Sequence, residues 1–353
     1  MSCITDTVIP TDQPGQILIA FEAHISGDHG LDLKSTKDGG RFIEHEAFRV
    51  DFKVQDTGLY VKIKGPNESA LIFFKEEIAH HVAELDERAA GAIRWRGENS
   101  KPGDLPPNFR VLEVVKSKEI FRGMQRVTIK MPDRDDMLGQ GLHVRLMLPS
   151  RPGRDPVWPR MGENGSPIWP QGDDKLHARY VTIKNVRADV AEIDLDIVRH
   201  AGGLISLWAQ QAEPGQFIGA MGPAGMDQLP KATTYFLAAD GTGLPAIARL
   251  LATIDQASKG SVVVAAPDDC DLQTYFPDTH LEVRCVDPDD FPEQIQAIAE
   301  EMTEPGRTEY AFFAGEFDNA QALRKHFKGM LGLGKERQLS TAYWRRGMAG
   351  FGS

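Results

Sequence analysis

The stretch TTYFLAADGTGLPAIARLL, Thr233 to Leu251, decides the fold. Tyr235 to Ala239 is an uninterrupted apolar run, the pattern of a strand buried on both faces. The run stops at Asp240. Gly241 and Gly243 then allow a close turn, Thr242 can cap, and Pro245 suits the first turn of the helix LPAIARLL. Backbone amides at a helix N-terminus offer a seat for phosphate or pyrophosphate. The pattern is not GxGxxG, and an ordinary strand-to-helix turn remains the alternative at this point.

Downstream the same alternation repeats. SVVVAAP and LEVRCVD read as strands, FPEQIQAIAEEM as a helix, EYAFFAGE as a strand and DNAQALRKHFKGML as a helix. Strands alternating with helices in this order predict an open parallel α/β sheet over residues 229–353. Upstream the period changes. FRVLEVVKSKEI, MQRVTIKMP, LHVRLMLPS, RYVTIKNV, AEIDLDIVRH and GQFIGAMGP are short, rich in β-branched residues and bounded by Gly, Pro or Asp. With one helix expected at 204–212, they predict a six-stranded antiparallel barrel over 108–228. Residues 151–176 carry Pro152, Pro156, Pro159, Pro167 and Pro170 with Trp158 and Trp169. So long a connection is usually functional or a lid.

The punctuated run GENSKPGDLPPN reads as a linker over 98–107. Ahead of it, FIEHEAFRVDFKV and GLYVKIKG read as strands, and ALIFFKEEIAHHVAELDERAAG has helical spacing. Residues 1–97 are therefore expected to form a small α+β domain, making the chain multidomain, α+β and α/β.

Composition narrows the function. The 353 residues carry 40 Lys+Arg and 51 Asp+Glu, a formal charge of −11, which argues against a nucleic-acid partner. No apolar run is long enough to cross a bilayer, and the first residues lack a secretion-signal pattern, so a cytoplasmic protein without membrane insertion is expected. Cys3, Cys270 and Cys285 are too few and scattered for a disulfide framework or a thiolate zinc site; the latter two are expected in the core. His80 and His81, with His24, His29 and His45, lack metal-site spacing, so no metal is expected there. The charge is uneven: residues 229–306 hold 4 basic and 14 acidic side chains, residues 307–353 hold 8 and 4. Such a local basic surface can recruit an anion.

Two further stretches carry site chemistry. In RYVT, Arg179 can pair with phosphate, Tyr180 can lie on an aromatic ring and Thr182 can donate a hydrogen bond. In RHAGGLISLWAQ, Gly202 and Gly203 open a short helix behind His200, a second possible pyrophosphate cradle. Read alone, both are equally compatible with structural roles.

Their order is what makes them specific. Through HVRLMLPS, RYVTIKN, DLDIVRHAGGLISLWA with PGQFIGAMGPAG, FLAADGTGLPAIARLL and FFAGEFDNAQALRKHF ending in TAYWRRGM, the chain from about residue 107 resembles the siderophore-interacting protein family of flavin-dependent ferric-siderophore reductases. Through EAHISGDHG and HHVAELD…IRW, the first 97 residues look like a small domain of unknown function sometimes fused ahead of it.

The resemblance implies an FAD-binding barrel and a ferredoxin reductase-like NAD(P)H-binding domain. It carries the flavin-touching R-x-Y-T motif onto Arg179, Tyr180 and Thr182, although here Val181 separates Tyr from Thr. The FAD-diphosphate cradle falls on His200, Gly203, Ser206 and Trp208, with Leu204 and Ile205 replacing the family's Pro-Ala. The nicotinamide-side motif falls on Asp240, Thr242, Leu244, Pro245 and Ala246, with Ala239 for Gly and Gly243 for Ala. Gly315, Glu316, Tyr343 and Trp344 also match, the terminal aromatics being expected near the flavin ring. Arg324, Lys325, Lys328, Arg345 and Arg346 are the cations expected to attract an anionic ferric chelate, Lys325 first by motif position.

The implied chemistry is reduction without an acid–base pair. Anionic oxygen chelators hold ferric iron tightly and ferrous iron far more weakly, so one-electron reduction releases the metal. NADH or NADPH delivers a hydride, and FAD divides the pair. The acidic PDDCD after the second strand of the sheet favours NADH. Two alternatives stand beside this reading: a general NAD(P)H:flavin-type reductase or diaphorase, including one fed by ferredoxin, and a non-catalytic siderophore-binding protein.

Overall fold

The computed structural model of the chain describes residues 3–27, 33–45, 48–97, 101–131, 141–151 and 153–348. These form two compact units, one of residues 1–109 with 149–176 and the other of residues 110–148 with 177–353.

The first unit is built on a five-stranded sheet in the order β1-β5-β4-β3-β2, from β1 (Cys3–Ile9), β2 (Lys34–Ser35), β3 (Arg41–His45), β4 (Phe48–Gln55) and β5 (Gly58–Gly65). In β5, Leu59, Val61 and Ile63 are fully buried while Lys62 and Lys64 on the other face are exposed. α1 (Pro14–Gly27) and α2 (Glu68–Leu85) cover that face, burying Ile17, Phe21, Ile78 and Val82. Asn67 caps α2 by accepting from the Ala70 amide at 2.9 Å, and Asp86 ends it and caps the short α3 (Glu87–Gly91). β1 was not among the expected strands. His29 lies outside the described residues, as do the side chains of His24 and His45. Among the described residues no group of His, Cys, Asp or Glu is placed to hold a metal ion.

Residues 149–176 belong to this unit rather than to a contiguous barrel segment. They carry a minimal hairpin, β9 (Arg160–Met161) with β10 (Pro167–Ile168). The expected linker is part of the same construction, because the Gly103 amide donates to Met161 O and the Met161 amide to Asp104 O, both at 2.8 Å.

In the second unit, all six expected barrel strands are present: β6 (Phe109–Phe121), β7 (Met124–Lys130), β8 (His143–Pro149), β11 (Leu176–Arg187), β12 (Glu192–Val198) and β13 (Phe217–Ala224), closed in the order β11-β12-β7-β6-β13-β8. α4 (Leu204–Gln211) plugs one end, burying Ile205 and Ala209 against Leu112, Ile129 and Ile218. The parallel sheet runs β16-β15-β14-β17-β18, from β14 (Thr234–Ala239), β15 (Lys259–Ala265), β16 (Glu282–Val286), β17 (Tyr310–Glu316) and β18 (Gln338–Trp344). Its helices are α5 (Leu244–Leu251), α6 (Leu272–Tyr275), α7 (Phe291–Met302) and α8 (Phe317–Gly329). The fifth strand, β18, was read in sequence only as a terminal aromatic pair. Cys285, expected in the core, is exposed because its strand β16 is the sheet edge.

Barrel and sheet share one core. Phe121, Met124 and Leu142 pack with Leu237, Ile247 and Tyr275. Arg126 makes a bidentate pair with buried Asp196, both bonds 2.7 Å, and the Tyr275 hydroxyl donates to the same carboxylate at 2.7 Å. Desolvation, then the Asp196 charge, pushes the Tyr275 hydroxyl well above its ordinary pKa. This polar knot is buried and geometrically satisfied, so its net stabilisation is small although loss of one partner would be costly.

Candidate functional site

The turn after β14 is folded around one carboxylate. Asp240 Oδ1 accepts from the Thr242 hydroxyl at 2.6 Å and from its amide at 2.8 Å, closing an Asx turn into α5. Two glycines make it possible. A Cβ on Gly243 would sit 2.5 Å from Ala314 O, and one on Gly315 would sit 2.6 Å from Asp240 Oδ2. Gly243 therefore has a steric reason here, where the family pattern has Ala. Leu244, Pro245 and Ala246 form the buried first turn of α5. Burial raises the Asp240 pKa, against the hydrogen bonds that lower it.

The chain's last described strand returns to that carboxylate. Trp344 Nε1 donates to Asp240 Oδ2 at 2.7 Å. Glu316 caps α8 through the Asp318 amide and also accepts from the Arg346 amide at 3.1 Å. The Arg345 guanidinium lies 4.3 Å over the Phe317 ring. Tyr343, whose hydroxyl is pushed up by burial and then by Asp240, reaches the barrel.

There its partner is His143 on β8, with Tyr343 Oη 3.1 Å from Nε2 and the two rings perpendicular at 5.3 Å. The other ring nitrogen, Nδ1, lies 3.3 Å from Thr182 Oγ1 on β11. Desolvation, with the Arg249 charge adding to it, lowers the His143 pKa to about 4, so the ring is neutral and offers one donor and one acceptor. His143 was missed as a site residue, because a single histidine in an alternating strand has no local signature.

Tyr180 and Thr182 share a face of β11; Tyr180 is exposed, and Val181 turns into the barrel core. The Arg145 guanidinium lies 5.6 Å from the Tyr180 ring. Burial, then the nearby Arg145 charge, lowers the Arg179 pKa, and burial with Arg179 lowers that of His177 to about 4. Arg145 and Arg179 thus make a local positive field. A cleft of about 500 Å³ opens further along β11, lined by Lys184, Arg249 and Tyr275 among others.

β12 leads to the remaining stretch. Its last residue, Val198, approaches the turn: a Cβ on Gly241 would be 3.8 Å from Val198 Cγ2. The His200 amide donates to Ser206 Oγ at 2.9 Å, and that hydroxyl donates back to His200 O at 3.2 Å. Gly202 has φ +80°, and a Cβ on Gly203 would strike the His200 ring at 2.3 Å. α4 begins there with no side-chain cap on its first amides, while Trp208 packs on the barrel core. Of the five expected cations, Lys325 and Lys328 are exposed on α8. Arg324 instead donates Nη2 to Ser340 O at 2.7 Å, fastening α8 to β18. Asp268 and Asp269 of the acidic PDDCD run face the barrel: Asp269 accepts from the Arg122 amide at 2.8 Å and Asp268 from its side chain at 3.1 Å.

The residues present fit a flavin dinucleotide. Two guanidiniums, an exposed aromatic side chain and an uncapped helix start supply what a planar ring and a diphosphate require.

The comparisons agree with that fit. The model of the siderophore-interacting FAD-binding domain matches residues 113–227, and that of the siderophore-interacting protein matches residues 232–347. The ferric vibriobactin reductase ViuB of Vibrio cholerae is 27% identical over 249 residues, which is 67% of this chain and 90% of that protein. The NADPH-dependent ferric-chelate reductase of Escherichia coli is 28% identical over 243 residues, 67% of this chain and 92% of its own. The crystal structure of the siderophore-interacting protein SipS from Aeromonas hydrophila shares the fold at a TM-score of 0.58 and 24% identity, covering 69% of this chain and 93% of its own.

Proposed function

The chain belongs to the siderophore-interacting protein family, and on that premise we propose that it is an FAD-dependent NAD(P)H oxidoreductase that reduces ferric siderophores. One observation carries the reading: the strand bearing the terminal aromatics joins the turn after β14 to the flavin-side strands of the barrel, through Trp344–Asp240 and Tyr343–His143. Hydride entry and electron exit thus have adjoining walls.

Bound FAD would supply the conversion of a two-electron hydride into single electrons. Arg145, Arg179 and the start of α4 would hold its diphosphate, and Tyr180 its ring. Asp240, held by Thr242 and Trp344, keeps the nicotinamide-side turn closed. Thr182 and Tyr343 hold the neutral His143 ring between them, so the barrel and sheet walls keep one spacing. Lys325, Lys328, Arg345 and Arg346 supply positive charge for an anionic chelate. The overall balance is one NAD(P)H and two ferric chelates giving NAD(P)+, one proton, two ferrous ions and the two freed chelators. A cytoplasmic site of action follows from that donor, and the released ferrous iron is the useful product.

The test is anaerobic. NADH or NADPH should bleach the yellow protein, and a ferric siderophore with a ferrous chelator should restore the flavin colour as the ferrous complex forms. Bleaching that only free flavin or a quinone reverses would overturn the substrate assignment in favour of a general reductase.

A further inference from the structure

Residues 3–97 have no assigned task in the reaction. β8 ends in, and β11 begins from, the excursion 149–176, whose two ends are tied by the Ser150 amide donating to Lys175 O at 3.0 Å. Those two strands carry His143, Arg145, Arg179 and Thr182. The hairpin inside the excursion has only two residues per strand, far too little to hold itself together in water. Yet one side of it is buried, with Met161 2% exposed and Ser166 4%, although Glu163 at its turn faces solvent.

Three hydrogen bonds tie the excursion to the N-terminal sheet-and-helix body. Ser166 Oγ donates to the backbone carbonyl of Lys75, in the middle of α2, at 3.1 Å, in a fully buried setting. Trp169 Nε1 donates to Glu76 Oε1 one residue along at 2.6 Å, and Arg94 reaches Glu163 at 2.9 Å. A mid-helix carbonyl already serves its own helix, so a buried hydroxyl aimed at it is a designed contact rather than a default one.

We propose that residues 3–97 are a positioning module: they seat the excursion and so fix the ends of the two strands that line the flavin side. This rests on the reading that those strands hold FAD.

The experiment uses the full chain with Trp169→Phe, which removes one donor, and Ser166→Leu, which unseats the hairpin. Three readouts are taken: tryptic cleavage after Arg160, amide exchange in residues 143–148 and 177–187, and the FAD dissociation constant from flavin fluorescence quenching. Expected are cleavage and exchange faster by about threefold for Trp169→Phe and at least about tenfold for Ser166→Leu, with weakening of FAD in the same order and no change of exchange in α7 or β17. Unchanged cleavage, or faster cleavage with unchanged strand exchange and FAD affinity, overturns the proposal. If the wild-type chain takes up no FAD, the cofactor reading fails by itself, and exchange in β8 and β11 still decides the positioning.

Discussion

Tyr343 Oη lies 3.1 Å from His143 Nε2, joining the last strand of the parallel sheet to a barrel strand two hundred residues earlier. Because Nδ1 of the same ring faces Thr182 at 3.3 Å, one neutral imidazole spans the three strands β18, β8 and β11. Tyr343→Phe keeps the ring packing and removes one hydroxyl, leaving a ring nitrogen unanswered. Urea unfolding should register a loss of roughly 1–2 kcal/mol. His143→Phe should cost more than Tyr343→Phe, and the pair together little more than His143→Phe alone, the coupling a shared contact produces. Simple additivity would mean the two residues act separately.

Acid should act on the same ring. His143 sits at about pH 4 in the folded protein because of desolvation, against about 6.5 when unfolded. The unfolded chain therefore binds the proton more readily between those values, and stability is complete above pH 7 and falls as the pH drops towards 4. The contribution is roughly 3 kcal/mol at most, with His177, also near 4, adding in the same direction. Urea unfolding from pH 7.5 to 4.5 should show this decline, and His143→Gln should flatten it. A wild-type curve level across the range would refute the buried neutral ring.

Gly315→Ala addresses the turn. Its new Cβ would lie 2.6 Å from Asp240 Oδ2, so the carboxylate must move and Trp344 loses its acceptor. A loss of roughly 1–3 kcal/mol is expected from the overlap, together with a higher KM for NAD(P)H. Thermal melts and steady-state kinetics check the two effects, and the KM change should persist at temperatures where the variant is fully folded.

How much of this was legible in sequence follows from which signals are local. Strands of period two bounded by Gly and Pro announced the barrel, and Tyr235 to Ala239 before Gly241 announced the sheet. β18 was overlooked because QLSTAYW mixes polar and apolar residues without alternation and owes its place to Ala311–Gly315 beside it. His143 is invisible for the same reason: its meaning lies in Thr182 and Tyr343, both distant in sequence. The basic end segment offered Arg324 beside Lys325 as a candidate, since sequence shows residue type but not that one guanidinium is committed to Ser340 O. The excursion's prolines marked it as special, yet no local pattern in residues 149–176 points to Lys75 and Glu76.

That difference between neighbouring cations makes the last prediction. Lys325 and Lys328 are exposed on α8, so replacing each by Ala removes a charge and little packing. The KM for an anionic ferric siderophore should rise by roughly 3–10-fold, more at low ionic strength than at 0.3 M salt, with FAD content and melting temperature unchanged. Arg324→Ala should behave oppositely. It frees Ser340 O and loosens α8 from β18, lowering the melting temperature while the KM moves little once the protein is folded. Steady-state kinetics at two salt concentrations beside thermal melts separate the cases. If Arg324→Ala raised KM in a salt-dependent way at unchanged stability, Arg324 would be a substrate contact after all; if both lysine variants left KM unchanged, the anionic chelate docks elsewhere.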